Sequence, residues 1–239
     1  MATWDLQSRR PLAETILDGL QAGIVYADDP VYPRTALMCP ASGFYFACGE
    51  PRADLVAEAL PEIRKRLVAK AWRNATSEAW RTALSPLLKT AACRLGFEHD
   101  GIVRELPPVP PDYQLVAMQA VLAEDWNSGS DVSGLDPWIF AIWGGPHAFE
   151  SRSFGMAVLH GVQPVAFAAA CAIGAGEAEV EVGTSSDFRP LGLGTISSLA
   201  FMAECTRRGL RATWTCGRDN EASIALAARL GYRPTEVTW

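Results

Sequence analysis

The 239 residues suit one large domain or two small ones, and a composition of 49% hydrophobic and 20% charged residues is that of an ordinary globular protein. A formal net charge of −6 argues against a nucleic-acid-binding surface, and the one basic run, Arg64-Lys65-Arg66, falls on an amphipathic pattern that reads as a solvated helix face. The longest apolar stretch, Val165 to Ile173, is far too short to span a membrane, and Met1 to Arg10 is too polar for a targeting segment.

Taken in order, Pro11 to Leu20 reads as a helix, and Thr35 to Cys39 with Phe44 to Cys48 as a hairpin across Pro40-Ala41-Ser42-Gly43. Glu50-Pro51 opens a second helix with Leu55, Ala59, Ile63, Leu67 and Val68 on one face. Ser77 to Leu88 is a third, with Trp80, Leu84, Leu87 and Leu88 inward, and Thr90 to Phe97 reads as a strand. No chemical motif lies in this half. Phe44-Tyr45 read as packing residues and His99 as a surface residue.

Leu106-Pro107-Pro108-Val109-Pro110-Pro111 cannot be helix or central strand, so a boundary is expected there: an N-terminal α/β region over 1–106, a linker over 107–112 and a C-terminal domain over 113–239. Tyr113 to Ala117 reads as a strand, Met118 to Trp126 as a helix, and Asn127 to Gly134 as a polar loop. Trp138, Phe140, Trp143 and Phe149 cluster around Gly144-Gly145-Pro146-His147 and read as packing about a surface turn. Phe154 to His160 and Pro164 to Ile173 form an antiparallel hairpin across Gly161-Val162-Gln163, with His160 exposed at its end. The six cysteines show no C-x-x-C pair and no His at ligand spacing, so free thiols, a cytoplasmic location and no metal are expected.

The chemistry concentrates between Glu177 and Tyr232. Ala178-Glu179-Val180-Glu181-Val182 alternates with the period of a strand, placing both glutamates on one face. A turn containing Gly192 and Gly194 follows, and then a helix over Thr195 to Arg208 that Gly209 stops. A helix start presents unpaired N–H groups at the positive end of its dipole, and glycines let a phosphate approach that backbone. Arg189 is unfavourable beside such an end unless an anion sits between them. Arg211 to Cys216 then reads as a strand and Asn220 as the cap of a last helix ended by Gly231, which gives a parallel crossover.

The run Ala178 to Gly194 (AEVEVGTSSDFRPLGLG), followed by Trp214 to Tyr232 (WTCGRDNEASIALAARLGY), resembles the acetyl-CoA-binding core of the GNAT acyltransferase superfamily. The resemblance is specific over roughly Phe154 to Tyr232, and weaker similarity extends upstream to a subgroup with a long N-terminal half. It implies a mixed α/β (α+β) sheet with helices and acetyl-CoA, or another acyl-CoA, as donor. In it Arg189, Leu191, Gly192, Leu193, Gly194 and Thr195 would hold the pyrophosphate. Val182 and Thr184 would bond the pantetheine amides where Gly183-Thr184 splays the strand from its neighbour. Asn220, and more weakly Ser223, would reach the pantetheine arm, and Glu181, then Glu179, would be the base that takes the proton of the attacking amine.

Three departures stand out. Ala227 replaces the family's usual Tyr, the proposed acid, and Pro190 removes one donor from the loop. The closing hairpin is reduced to one strand, Thr235 to Trp239. The function implied is N-acetyl transfer to a primary amine of a small molecule by direct attack in a ternary complex, with no nucleic acid and no membrane involved. A catalytically inactive acyl-CoA sensor or interaction module is the alternative that Ala227 motivates. A dinucleotide-binding oxidoreductase ranks last, because Ser197 stands where its third glycine belongs. Capping of the acceptor site, homodimer formation and a degenerate second copy of the fold all stay open as roles for the N-terminal half.

Overall fold

The computed structural model of the chain describes residues 10–42, 46–66, 78–84, 94–122 and 138–238. Leu67, Val68, Leu87, Leu88, the Phe44-Tyr45 pair, the expected strand start at 90–93, the helix end at 123–126, the loop at 127–134 and Trp239 lie outside them.

The first element, α1 (Arg10–Leu17), is followed by a three-stranded antiparallel sheet of β1 (Gly23–Ala27), β2 (Ala36–Pro40) and β3 (Phe46–Cys48) in that order. The expected hairpin is its β2–β3 pair, in register Ala36↔Cys48, Leu37↔Ala47 and Met38↔Phe46. Sequence reading missed β1, an edge strand with no inward alternation whose Ile24 and Val25 are exposed. Every residue of β2 is buried, because both of its faces are covered. Leu37 and Cys39 pack with Ala59 and Ile63 of α2 (Ala53–Arg66) and with Trp80 and Leu84 of α3 (Glu78–Leu84). Met38 points the other way, onto Leu12, Ala13 and Ile16 of α1.

A seven-stranded sheet holds the rest: β4 (Arg94–His99), β5 (Tyr113–Ala117), β6 (Gly155–His160), β7 (Gln163–Gly174), β8 (Glu177–Thr184), β9 (Arg211–Gly217) and β10 (Tyr232–Thr238). Its order is β10-β4-β9-β8-β7-β6-β5. Antiparallel pairing runs from β5 to β8, and β8–β9 is parallel. The last two pairings hold a surprise. β4 comes from before the Pro-rich stretch, yet it pairs with β9 on one side and β10 on the other. The antiparallel partner of β10 is thus supplied from the N-terminal half, and the expected boundary at 107–112 is not a boundary of the sheet.

Side chains fasten β4 in place. His99 Nε2 lies 3.1 Å from the Leu230 carbonyl and its ring meets Tyr232 edge-on at 4.8 Å, so His99 is a packing residue rather than the surface residue expected. Asp100 donates its N–H to the Gly231 carbonyl at 3.0 Å. Arg104 forms a bidentate pair with Asp100 at 2.7 and 3.0 Å, which holds the Asp100 carboxyl well below the usual carboxylate range.

Two helical layers cover the sheet. On one face α7 (Leu193–Arg207) and α8 (Glu221–Arg229) bury Phe154, Ala168, Ala170, Ala178, Val180 and Trp214. The alanines of β7 let α7 approach closely. On the other, α4 (Met118–Leu122), α5 (Trp138–Ala141) and α6 (Pro146–Arg152) pack Phe140, Trp143 and Phe149 against Ala157, Phe167 and Ala169. Burying an aromatic such as Phe149, fully enclosed, contributes about 2–3 kcal/mol. The Gly-Gly-Pro-His segment is the start of α6, with Gly145 at its N-cap and Pro146 in the first turn, where a missing N–H costs nothing.

The same face receives α1. The β7–β8 register jumps from Ala170↔Val180 to Ala172↔Glu179, so Cys171 is an extra residue, a β-bulge. α1 satisfies the backbone there: Thr15 Oγ1 accepts the Ile173 N–H at 2.8 Å and has its one proton shared between the Pro11 and Ile173 carbonyls at 2.6 and 2.8 Å. Gln21, just past the helix, donates to the Cys171 carbonyl at 2.7 Å. Ala172, beyond the bulge, joins the α1 cluster with Met38, which links the two sheets through α1.

Candidate active site

The site grows from the point where β8 and β9 part. Their parallel ladder has three rungs, Glu177↔Arg211, Ala178↔Ala212 and Glu179↔Thr213, and then closes. Beyond it β8 runs on to Thr184 paired with β7, while β9 runs on to Gly217 paired with β4. The separation begins four residues before the Gly183-Thr184 step at which it was expected. On the other edge of β8 the Cys171 bulge of β7 sits beside this point, with Ala172 opposite Glu179, and a bulge raises local twist.

Glu179 and Glu181 share the face opposite Ala178, Val180 and Val182, as the alternation demands. They are not equivalent. Glu179 is 5% exposed and accepts a 2.6 Å bond from Thr215 Oγ1, whereas Glu181 is half-buried, opposite Ala169 of β7.

At the far end of β8 the chain makes a 3₁₀ helix over Ser186–Leu191 and enters α7 through Gly192, whose φ of 72° lies in the left-handed region that favours glycine. Gly194 is required by space: a Cβ there would stand 2.8 Å from Thr184 Oγ1, so the helix start rests directly on the end of β8. Helix geometry leaves the N–H groups of Leu193 and Gly194 without intrahelical partners. The Thr195 N–H is already bonded to the Gly192 carbonyl at 2.9 Å. Leu193 is fully buried and offers backbone alone, while Leu191 is exposed. Arg189 is exposed beside this turn, with Nε 3.3 Å from the Thr184 carbonyl.

Sequence reading missed a second cation. Arg229, in the last turn of α8, places Nη1 3.4 Å from Thr195 Oγ1, so a second guanidinium group reaches the opening of α7. A basic residue near a helix C-terminus reads in sequence as a dipole complement, and tertiary packing alone brings it to α7. Asn220 caps α8 by accepting the Ser223 N–H at 3.1 Å, and Ser223 Oγ accepts from the Trp214 indole at 3.1 Å.

Neither Ala227 nor its neighbour Tyr232 offers a free hydroxyl in place of the family's tyrosine. Ala227 is fully buried in the core under α7 and α8. Tyr232 donates its hydroxyl to the Ala212 carbonyl at 3.0 Å, and burial pushes its phenol well up. Burial likewise pushes the Cys205 thiol up to about 12, far from a nucleophilic thiolate. Among the described residues no cluster of His, Cys, Asp or Glu could hold a metal, and no helix is long and apolar enough to cross a membrane.

These features fit an acyl-CoA: a gap between strands for an extended amide-bearing arm, and a glycine-entered helix start with two cations for phosphates. The comparisons with known proteins agree. A profile of the GNAT acetyltransferase family matches residues 5–237. YdfB of Bacillus subtilis (strain 168), described as an uncharacterized N-acetyltransferase, is 29% identical over 236 residues, covering 94% of this chain and 87% of YdfB. A GCN5-related N-acetyltransferase-like protein from Streptococcus suis has the same fold, with a TM-score of 0.67 at 23% identity over 93% of this chain and 88% of that one. So has a GCN5-related N-acetyltransferase from Kribbella flavida, with a TM-score of 0.56 at 18% identity, covering 99% of this chain and 91% of that one. The chain belongs to the GNAT acetyltransferase family, acyl-CoA-dependent N-acyltransferases whose donor is generally acetyl-CoA.

Proposed function

We propose that this enzyme transfers an acetyl or other short acyl group to a primary amine of a small molecule by direct attack in a ternary complex. The observation that carries the reading is the opening of β8 from β9 at Glu179, with a buried carboxylate at its base and the α7 N-terminus at its mouth. An acyl-CoA supplies an activated thioester; the chain's own part is to hold it, to place the amine and to take a proton. The backbone along Val182 to Thr184 would bond the pantetheine amides. The N–H groups of Leu193 and Gly194 would hold the pyrophosphate with Arg189, and Arg229 would share that charge. Leu191, Gly192, Thr195, Asn220 and Ser223 shape the rim.

Burial puts Glu179 ahead of Glu181 as the base in this reading. A carboxylate held out of bulk water beside the reacting amine can take its proton directly or through one water. The proton for the leaving thiolate comes from water in this reading, since Ala227 has nothing to give and Tyr232 is spent on Ala212.

The test has two arms. Thermal unfolding with acetyl-CoA at about 100 times Kd should gain roughly 2.7 kcal/mol of stability, and Arg189→Ala should shrink that gain. CoA release with a panel of primary amines should then fall about 100-fold in Glu179→Gln and only a few-fold in Glu181→Gln. Binding of acetyl-CoA without CoA release for any amine would favour the inactive sensor, and equal losses in the two variants would undo the assignment of the base.

A further inference from the structure

We infer that Thr215 is a positioning residue for acyl transfer, its hydroxyl fixing the Glu179 carboxylate at the base of the gap between β8 and β9. The inference rests on the proposed role of Glu179. Thr215 Oγ1 donates to Glu179 Oε1 at 2.6 Å. In the parallel register Glu179 stands opposite Thr213, the last rung of the ladder. Thr215 lies two residues further along β9, where the strands have begun to separate. The bond is therefore no part of the sheet's own pairing. It pulls the carboxylate forward into the opening, toward the end at which both strands hand over to α7 and α8.

The neighbours make the contact selective. Thr213, on the same face, spends its hydroxyl on the Ala178 carbonyl at 3.4 Å. On the other side β4 sets Gly96 opposite Thr215, and a glycine adds no side chain over the pair. Thr is stiff at χ1, so its hydroxyl is a fixed rather than a roaming donor. Anchoring Oε1 sets the direction of Oε2, the oxygen left to accept a proton. With Glu179 at 5% exposure, a carboxylate that lost Thr215 would have little water to bond instead and would turn away.

The experiment compares Thr215→Val, Thr215→Ser, Glu179→Gln and the Val/Gln double variant, with Thr213→Val as control. Turnover is read as CoA release from acetyl-CoA with a panel of primary amines, and stability by urea unfolding. Thr215→Val should lower kcat about tenfold, equivalent to ~1.4 kcal/mol, with KM for acetyl-CoA unchanged within about twofold. Thr215→Ser should recover most of that loss, and Thr213→Val should match the wild type. In the Glu179→Gln background, adding Thr215→Val should cost less than about twofold, because the group it positions is gone.

A tenfold loss that persists in the Gln background would mark Thr215 as structural and overturn the inference. The urea arm needs no amine: if Thr215→Val and Glu179→Gln change unfolding by amounts that simply add, the contact is not worth having and the inference falls alone. If they couple in unfolding while Glu179→Gln turns over at full rate, the base assignment fails first. No CoA release with any amine, in a protein that binds acetyl-CoA, would end both.

Discussion

The two flanks of the β8–β9 gap are built by opposite means. On the α7–α8 side everything is local: a strand, a glycine turn and a helix, then a strand, a capping Asn and a helix, all between Glu177 and Arg229. On the other side the parts come from far along the chain. α1 bonds the β7 bulge across |i−j| of 158 and 150 residues, and β4 reaches β9 from beyond the Pro-rich stretch. Local construction leaves the α7 entry to chain neighbours, whereas distant construction sets what flanks β7 and β9.

The hardest way to break this comparison is to remove the distant flank. A fragment of residues 113–239 would leave β10 without its partner and the β7 bulge without Thr15 and Gln21. Circular dichroism on heating should show no cooperative transition for it; a sharp, reversible melt would mean that the C-terminal part is a domain in its own right. Next is Gly183→Ala, whose new Cβ would run into the ring of Phe167, itself locked in the core. Overpacking of this kind should cost about 2 kcal/mol, roughly 4–8 °C in Tm for a chain of this size. An unchanged melt would show that β8 gives way more easily than its core neighbours allow.

Thr15→Val sharpens the other flank. It strips both bonds from Ile173 at a fully buried position and should cost about 1–3 kcal/mol in urea unfolding, while leaving acetyl-CoA affinity nearly intact. A large loss of affinity would show that the bulge reaches the cofactor side as well. The smallest effect belongs to Glu204 on α7, which Arg207 and Arg208 clamp at 2.6–2.7 Å and whose pKa is lowered to about 2 from 4.5. The folded value is depressed, so its contribution is present above pH 4.5 and fades as the pH falls toward 2. Glu204→Gln should lower stability at pH 6 by no more than about 1 kcal/mol, given a largely solvent-screened surface clamp. The difference from wild type should shrink in acid, and a constant difference would contradict the assignment.

Sequence alone determined the crossover, the glycine entry to α7, the Asn220 cap and the shared face of Glu179 and Glu181, because each is a matter of chain neighbours within one or two elements. The β2–β3 hairpin and the inward Leu55, Ala59 and Ile63 of α2 and Trp80 and Leu84 of α3 were equally legible from alternation and helical spacing. Several things were decided by tertiary structure. β1 carries no pattern, being an edge strand whose Ile24 and Val25 stay exposed. His99 looked like a surface residue until β4 entered the sheet and set it against Tyr232 and the end of α8. Arg229 reaches Thr195 only through the packing of α8 on α7, and the burial of Glu179 and its bond from Thr215 depend on another strand. Period and propensity describe which way a residue points along its own element. Which strand lies beside it, and which buried group needs a partner, depends on contacts between segments 30 to 160 residues apart, and no local pattern encodes those.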